Sequence, residues 1–163
     1  MTSPSQRIER DAVFSDDMRF RYRLTRRWGP GRVMPVICCN PSKAGAELDD
    51  PSVRRLIGFA RRLGYDAIDL GNCFAYIATF PDDLRAAGYP IGPDNDTHLE
   101  NICRGHPQVV CGWGSITRGL VRPQVVLALL KAWGCKPMAL QINAGGIPAH
   151  PSRLAYSRAL LEF

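Results

Sequence analysis

Three polar segments, each directly after an apolar run, hold the residue types in this chain that could do chemistry: Asn40-Pro41-Ser42, Asn72-Cys73-Phe74 and His150-Pro151-Ser152. An asparagine amide can accept and donate hydrogen bonds at once, and a histidine can gain or lose a proton near neutral pH. Singly, each segment is more typical of structure, because Asn-Pro-Ser often forms an Asx turn and a His-Pro loop is often structural. Only a fold that brings the segments together would make them an active site.

The hydrophobic pattern predicts the elements that must position these segments. Strands are predicted at residues 18–28, 33–39, 67–74, 109–113 and 137–142. Helices are predicted at residues 51–63, 82–87, 94–104, 115–133 and 152–163, with Pro123 breaking or kinking the fourth. Because strands that alternate with helices pair in parallel, we expect an α/β fold. In detail, we expect a three-layer α/β/α domain with a central, mostly parallel four-stranded sheet plus an N-terminal strand.

Parallel strands end at one edge of a sheet, and open α/β sheets bind ligands in the crevice at that edge. The three polar segments and a fourth, Gly112-Trp113-Gly114-Ser115, all fall at or just after predicted strand ends. We therefore expect the four segments to converge on one cleft. This shared placement favours an active site over four separate turns.

Length and composition indicate how many domains the chain forms, whether it meets a membrane and whether its cysteines bind a metal. The chain has 163 residues, 45% of them hydrophobic, so we expect one domain over residues 1–163, with residues 1–17 as a flexible or loosely packed arm. No run of about 18 apolar residues and no secretory signal is visible, so we expect a cytoplasmic protein without a membrane partner. Four of the six cysteines lie in apolar runs and no C-x-x-C pair occurs, so we expect reduced thiols, no metal and no cofactor.

Arginine dominates the charge of the N-terminal region. The formal net charge of the chain is +6, and eight arginines lie within the first 32 residues. Arginine presents a planar fork to phosphate oxygens, so this region suits a nucleic-acid partner. A solvated strand face would produce the same pattern, and the sequence leaves both interpretations open.

In order, spacing and strand context, the polar segments resemble the motifs of the uracil-DNA glycosylase superfamily. Residues 36–42, with Asn40 before a proline, are similar to the water-positioning motif of that family, and residues 70–72 to its base-reading strand. Residues 109–115 resemble its internal Trp-Gly-Ser strand, and residues 150–154 match its His-Pro-Ser-x-Leu loop. The whole chain also resembles an uncharacterised bacterial and phage family with the same Asn-Pro-Ser start and Gly-x-Pro-x-His-Pro end.

The resemblance implies a DNA glycosylase, which hydrolyses the N-glycosidic bond of a flipped base and leaves an abasic site. Asn40 would position the attacking water, and His150 would donate a hydrogen bond to the base as negative charge develops on it. Asn72 would read the edge of the base, and Phe74 or Tyr76 would stack on its face. For the two aromatic residues, a place in the core is an equally good interpretation.

The resemblance also implies roles at the rim of the site. Ser42, Ser115 and Ser152 would bind DNA phosphates, although Ser115 and Ser152 would look the same in sequence as helix caps. Either Arg153 or Leu154 would be the wedge that holds the base out of the stack, and packing of the last helix is the alternative. Asp49-Asp50 and Asp94-Asn95-Asp96 are more typical of helix starts than of acid–base catalysis or a metal loop.

Two departures from the best-known family members bear on the substrate. Ser42 stands where strict uracil enzymes carry a tyrosine that excludes a 5-methyl group, and Asn40 resembles the mismatch-specific branch. We therefore expect a modified or damaged pyrimidine in DNA, with Ser42 in the base pocket and with no protein partner. An N-glycosidase of free modified nucleotides and a noncatalytic nucleic-acid-binding protein on the same fold are the alternatives. In the main interpretation, Asn40, Asn72 and His150 line one pocket about one nucleobase wide.

Overall fold

The computed structural model describes residues 7–163, and strands alternate with helices along most of this length. The strands are β1 (Glu9–Phe14), β2 (Arg21–Arg27), β3 (Val33–Cys38), β4 (Ala67–Asn72), β5 (Gln108–Cys111), β6 (Lys136–Ala139), β7 (Ile142–Asn143), β8 (Ile147–Pro148) and β9 (Leu161–Glu162). The helices are α1 (Pro51–Arg62), α2 (Pro81–Ala86), α3 (Asn95–Cys103) and α4 (Arg122–Ala132). The predicted strands and the first three predicted helices all have counterparts, with ends that differ by a few residues.

One large sheet contains seven of these strands, in the order β1-β2-β4-β3-β5-β6-β9. The neighbours β4, β3, β5 and β6 run parallel to one another. Antiparallel strands extend this set on both sides, β2 and β1 beyond β4 and β9 beyond β6. The α/β class is therefore confirmed, while the sheet is larger and more mixed than the predicted one.

Successive side chains of a strand point to opposite faces of the sheet. Both faces of the parallel strands carry apolar side chains, and helices pack on both of them. Val36 of β3 belongs to a buried cluster with Val53 of α1. The next residue, Ile37, belongs to a second cluster with Leu99 of α3 and Val126 of α4. This arrangement leaves the carboxyl ends of β3, β4 and β5 together at one edge of the sheet.

Helix α1 begins at this same edge, for reasons that are local to its sequence. The Asp50 side chain accepts a hydrogen bond from the Val53 N–H at 2.9 Å, and Pro51 occupies the first turn, where no N–H is needed. The helix ends before Gly64, whose φ of 84° favours glycine. Asp50 is thus a helix cap, as its position before a proline predicts.

The N-terminal region differs from the predicted flexible or loosely packed arm over residues 1–17. Residues 9–14 form β1, which pairs with β2 from Glu9 opposite Arg27 onward. This part of the prediction is therefore corrected, and residues 1–6 lie outside the described residues. Among residues 7–163, no helix combines the length and apolar character needed to cross a membrane.

Two N-terminal arginines fit neither the phosphate-binding nor the solvated-face interpretation, because Arg21 and Arg26 are buried. Arg26 donates to the Asp49 carboxylate at 2.7 Å and to the Gly45 carbonyl at 2.6 Å, and Arg21 donates to the Ala44 carbonyl at 2.7 Å. The register of β1 against β2 shifts at this point, since Val13 lies opposite Arg23 and Phe14 lies opposite Arg21. Both arginines therefore stabilise the loop over residues 44–49.

The C-terminal third differs most from the predicted helices. The predicted helix over residues 115–133 is divided into a short 3₁₀ turn at Ser115–Thr117 and α4, because Pro123 fits only a first turn. No helix forms over residues 152–163. Arg153 has a φ of 70°, which interrupts a helix, and the segment ends in β9, paired with β6.

Candidate active site

A cleft of about 360 Å³ opens where β3 and β5 end. Four of the predicted site residues line this cleft, namely Asn40, Ser42, Ser115 and His150. They come from three loops that are far apart in sequence and that meet at the edge of the parallel strands. The segments that contain Asn40, Ser115 and His150 therefore converge in the structure as predicted, whereas the Asn72 segment does not reach the cleft.

The amide of Asn40 has a fixed orientation in this cleft. Its Nδ2 group donates to the carbonyl oxygen of Ala78 at 2.8 Å and to that of Pro41 at 2.9 Å. Since a carbonyl oxygen can only accept, these two contacts define which end of the amide is nitrogen. The Oδ1 atom makes no hydrogen bond to the described residues and remains an acceptor for a ligand or a water.

His150 keeps a hydrogen-bond donor free in the cleft, whereas Asn40 keeps an acceptor free. Its Nδ1 atom lies 2.7 Å from the Ser152 hydroxyl and accepts from the Ser152 backbone N–H at 3.2 Å. Because that backbone group can only donate, the proton of the neutral ring is on Nε2. Burial lowers the pKa of His150 below its ordinary value of 6.5, although the Asp50 carboxylate acts in the opposite direction. The ring is therefore neutral at pH 7 and offers Nε2–H as a donor.

Two glycines at the end of β5 allow the His150 loop to approach closely. A Cβ atom on Gly114 would lie 3.2 Å from the His150 Cβ, and one on Gly112 would lie 3.2 Å from the Pro151 Cδ. Gly114 also has a φ of 77° and donates its N–H to the Pro148 carbonyl at 2.9 Å. The Gly-Trp-Gly-Ser segment thus contributes to the site mainly by letting the His150 loop pack closely against the end of β5.

Sequence reasoning missed several residues that line the cleft, among them Ser52 and Phe80. Ser52 lies in the first turn of α1, and its position follows from the Asp50 cap. Phe80 directly precedes α2 and is 66% exposed, which is unusual for a large aromatic side chain. The only signal for Phe80 in the sequence is a phenylalanine directly before the proline of a helix start.

Asn72, the predicted reader of the base, does not line the cleft. It is 2% exposed at the end of β4, and its carbonyl accepts from the Asn95 side chain at 2.9 Å. Sheet pairing continues past it, since Cys73 donates to the Cys38 carbonyl at 2.9 Å. Its Nδ2 atom has no hydrogen-bond partner among the described residues. The expected three-residue pocket therefore contains Asn40 and His150 but not Asn72.

The two predicted stacking residues also lie away from the cleft. Phe74 is 3% exposed and packs against Tyr89, with ring centroids 5.5 Å apart. Tyr76 packs edge-on against Phe20, with centroids 6.0 Å apart. Both residues belong to the core, which corrects the base-stacking role for Phe74.

The predicted phosphate-binding and wedge residues occupy three different environments. The Ser115 hydroxyl accepts from the Asn143 side chain at 3.0 Å, and it caps no helix. Ser152 is exposed and orients His150. Arg153 is exposed beside it, whereas Leu154 is half-buried and its carbonyl accepts from Arg55. Of the two wedge candidates, Arg153 is the one that faces solvent.

Cys39, which lines the cleft, and Asp49, in the loop before α1, are poorly suited to nucleophilic attack. Burial raises the pKa of the Cys39 thiol to about 11, so the thiol is protonated at neutral pH and is a poor nucleophile. Asp49 is paired with Arg10 and Arg26 at 2.7 Å each. Within residues 7–163, no three histidine, cysteine or carboxylate side chains are grouped as metal ligands.

Comparison with known proteins gives one match. A family model described as "Protein of unknown function (DUF1643)" matches residues 21–152, a range that includes every residue lining the cleft. No curated protein and no solved structure matches the chain.

Proposed function

Because the chain belongs to the family described as "Protein of unknown function (DUF1643)", we propose its function from the chemistry of the cleft. The protein is a DNA glycosylase that hydrolyses the N-glycosidic bond of a modified or damaged pyrimidine. The observation that carries this proposal is the pairing of a fixed acceptor, Asn40 Oδ1, with a fixed donor, His150 Nε2–H, in one cleft.

The reaction needs these two groups on opposite sides of the breaking bond. The C1′–N bond breaks and leaves oxocarbenium character on the sugar and negative charge on the base. Asn40 Oδ1 accepts from the attacking water, whose oxygen bonds to C1′, and His150 Nε2–H stabilises the anionic base. The departing base takes up the proton that the water loses, and the products are an abasic sugar and a free base. A positioned donor of this type contributes about 3 kcal/mol to lowering the barrier.

Recognition of the base is assigned to residues that line the cleft. Phe80 presents an exposed ring at its rim and is the candidate for stacking on the flipped base. Ser42 lines the cleft with a small side chain, which leaves room for a 5-substituent on a pyrimidine. The buried Asn72 contributes to the shape of β4 and has no direct contact with the base in this proposal.

Contacts with DNA are proposed for the loops around the cleft. The net charge of +6 favours a polyanionic partner, although Arg21 and Arg26 have structural roles. Ser115 and Ser152 are exposed at the rim and would bind phosphates of the target strand. Arg153 would be the wedge, because it is exposed next to the loop that carries His150. The seven-stranded sheet would then be an enlarged form of the uracil-DNA glycosylase architecture.

The proposal is tested by incubating the purified protein with oligonucleotides that contain uracil, 5-hydroxymethyluracil or glucosylated hydroxymethylcytosine, and cleaving any abasic sites with alkali. We expect abasic sites in at least one of these DNAs. Turnover of free modified nucleotides without DNA affinity would instead identify a nucleotide N-glycosidase. Salt-sensitive DNA binding without cleavage, unchanged in Asn40→Ala and His150→Ala, would identify a noncatalytic binding protein.

A further inference from the structure

A second cavity of about 230 Å³ adjoins the cleft. The segment over residues 113–120 separates the two spaces, and Trp113 lines both of them. The hairpin of β7 and β8, the start of α4 and Phe163 form the remaining walls. The cleft lies near the lower end of the range of about 300–1,000 Å³ that is usual for drug-sized ligands and the second cavity lies below it, so each suits one ring system.

The lining of this second cavity defines the ligand chemistry that it suits. Leu120, Leu127 and Ile147 give it apolar walls, and no acidic residue lines it. The Trp113 side chain is 2% exposed and packs edge-on against Phe163, which also lines the cavity. Arg118 contributes a positive charge at the exposed side. A planar ring with an attached anion fits these features, and a nucleotide has both.

We infer that the second cavity binds the nucleotide adjacent to the one whose base enters the cleft. This inference rests on the proposed function and adds the state of the substrate to it. Trp113 lines both spaces, so they share one wall, and a strand that passes over this wall would place successive nucleotides in the two spaces. A base that enters such a cavity has left its duplex stack, so the substrate is single-stranded or locally unpaired DNA.

The inference is tested by isothermal titration calorimetry with two probes, thymidine monophosphate and the dinucleotide pTpT. We expect pTpT to bind about tenfold more tightly, the gain that one additional bound base gives. Arg118→Gln removes most of this gain, because Arg118 faces the phosphate of the second nucleotide. The matched control is Arg62→Gln, which makes the same charge change at the exposed far end of α1.

Three results would overturn the inference: equal affinity of the two probes, no binding of either, or the same loss in Arg118→Gln and Arg62→Gln. The excision assay separates this failure from failure of the proposed function. If the protein excises a base equally well from single-stranded DNA and from fully paired DNA, the glycosylase proposal stands and the second nucleotide site is wrong. If it excises nothing but pTpT binds through Arg118, the nucleotide site stands without the chemistry.

Discussion

At the scale of single residues, the cleft gives its two central side chains opposite hydrogen-bonding roles. Asn40 uses its N–H groups on backbone carbonyls and keeps its oxygen, whereas His150 uses Nδ1 as an acceptor and keeps Nε2–H. Neither role requires a charged side chain. The site is therefore suited to a reaction in which charge develops on the substrate and a neutral protein environment stabilises it.

The lowered pKa of His150 predicts a specific dependence of stability on pH. An unfolded histidine binds a proton near pH 6.5, whereas His150 in the folded chain resists protonation because of burial. As the pH falls from 6.5 towards the lower folded value, the unfolded chain binds more protons, and the free energy of unfolding decreases. His150→Gln should lack this decrease, which urea titrations at pH 7.5, roughly 6 and roughly 5 would measure.

The control for this measurement is His106→Gln, which removes a histidine before β5, at the opposite edge of the sheet. This variant keeps His150 and should keep the decrease that His150 causes. A His150→Gln protein with the same pH dependence as the parent chain would contradict a neutral, half-buried ring in the cleft.

At the scale of elements, the end of β5 and the His150 loop form one unit. Gly114→Ala adds the strain of a φ of 77° and a contact 3.2 Å from the His150 Cβ. We expect a loss of about 1 kcal/mol in stability and a decrease in excision rate of about tenfold or more, because His150 is displaced. Thermal unfolding and single-turnover excision measure the two effects.

Gly134→Ala is a matched control for this substitution. Gly134 has the same φ of 77°, but a Cβ atom there would meet nothing within 4 Å. It should lose similar stability and no activity. If both variants lost activity equally, the close approach of Gly114 to His150 would have no functional importance.

The pairing of β2 with the loop over residues 44–49 is a second element-scale feature. Arg26 is 0% exposed and donates to Asp49 and to two carbonyls of this loop, those of Gly45 and Leu48. Arg26→Ala leaves these partly buried acceptors without this donor, while Asp49 keeps Arg10, and should cost about 1–3 kcal/mol of stability in urea denaturation. Arg62→Ala, at an exposed position, should change stability by less than about 0.5 kcal/mol. A similar small change in Arg26→Ala would contradict the structural role.

At the scale of the whole molecule, periodicity and capping predict the order of the elements well. Polar residues after buried strands identify the cleft edge, because parallel strands end together. The burial of Asn72 was not predictable, since pairing beyond the end of β4 depends on Cys38 and Asn95, which are distant in sequence. The burial of Arg26 was missed because a strand residue that looks solvated can be covered by a loop from elsewhere. Local patterns predict elements, and contacts between distant segments decide which polar groups face the ligand.

In the proposed reaction, Asn40 and His150 act together in one cleft, and the rate of base excision tests this most directly. Single-turnover excision from the DNA that the parent chain cleaves best should fall by about 100-fold or more in Asn40→Ala and in His150→Gln. Asn101→Ala, on the exposed surface of α3, should cleave like the parent chain. Excision that survives in both cleft variants, or no abasic site in any of the three DNAs with well-folded protein, would contradict the account.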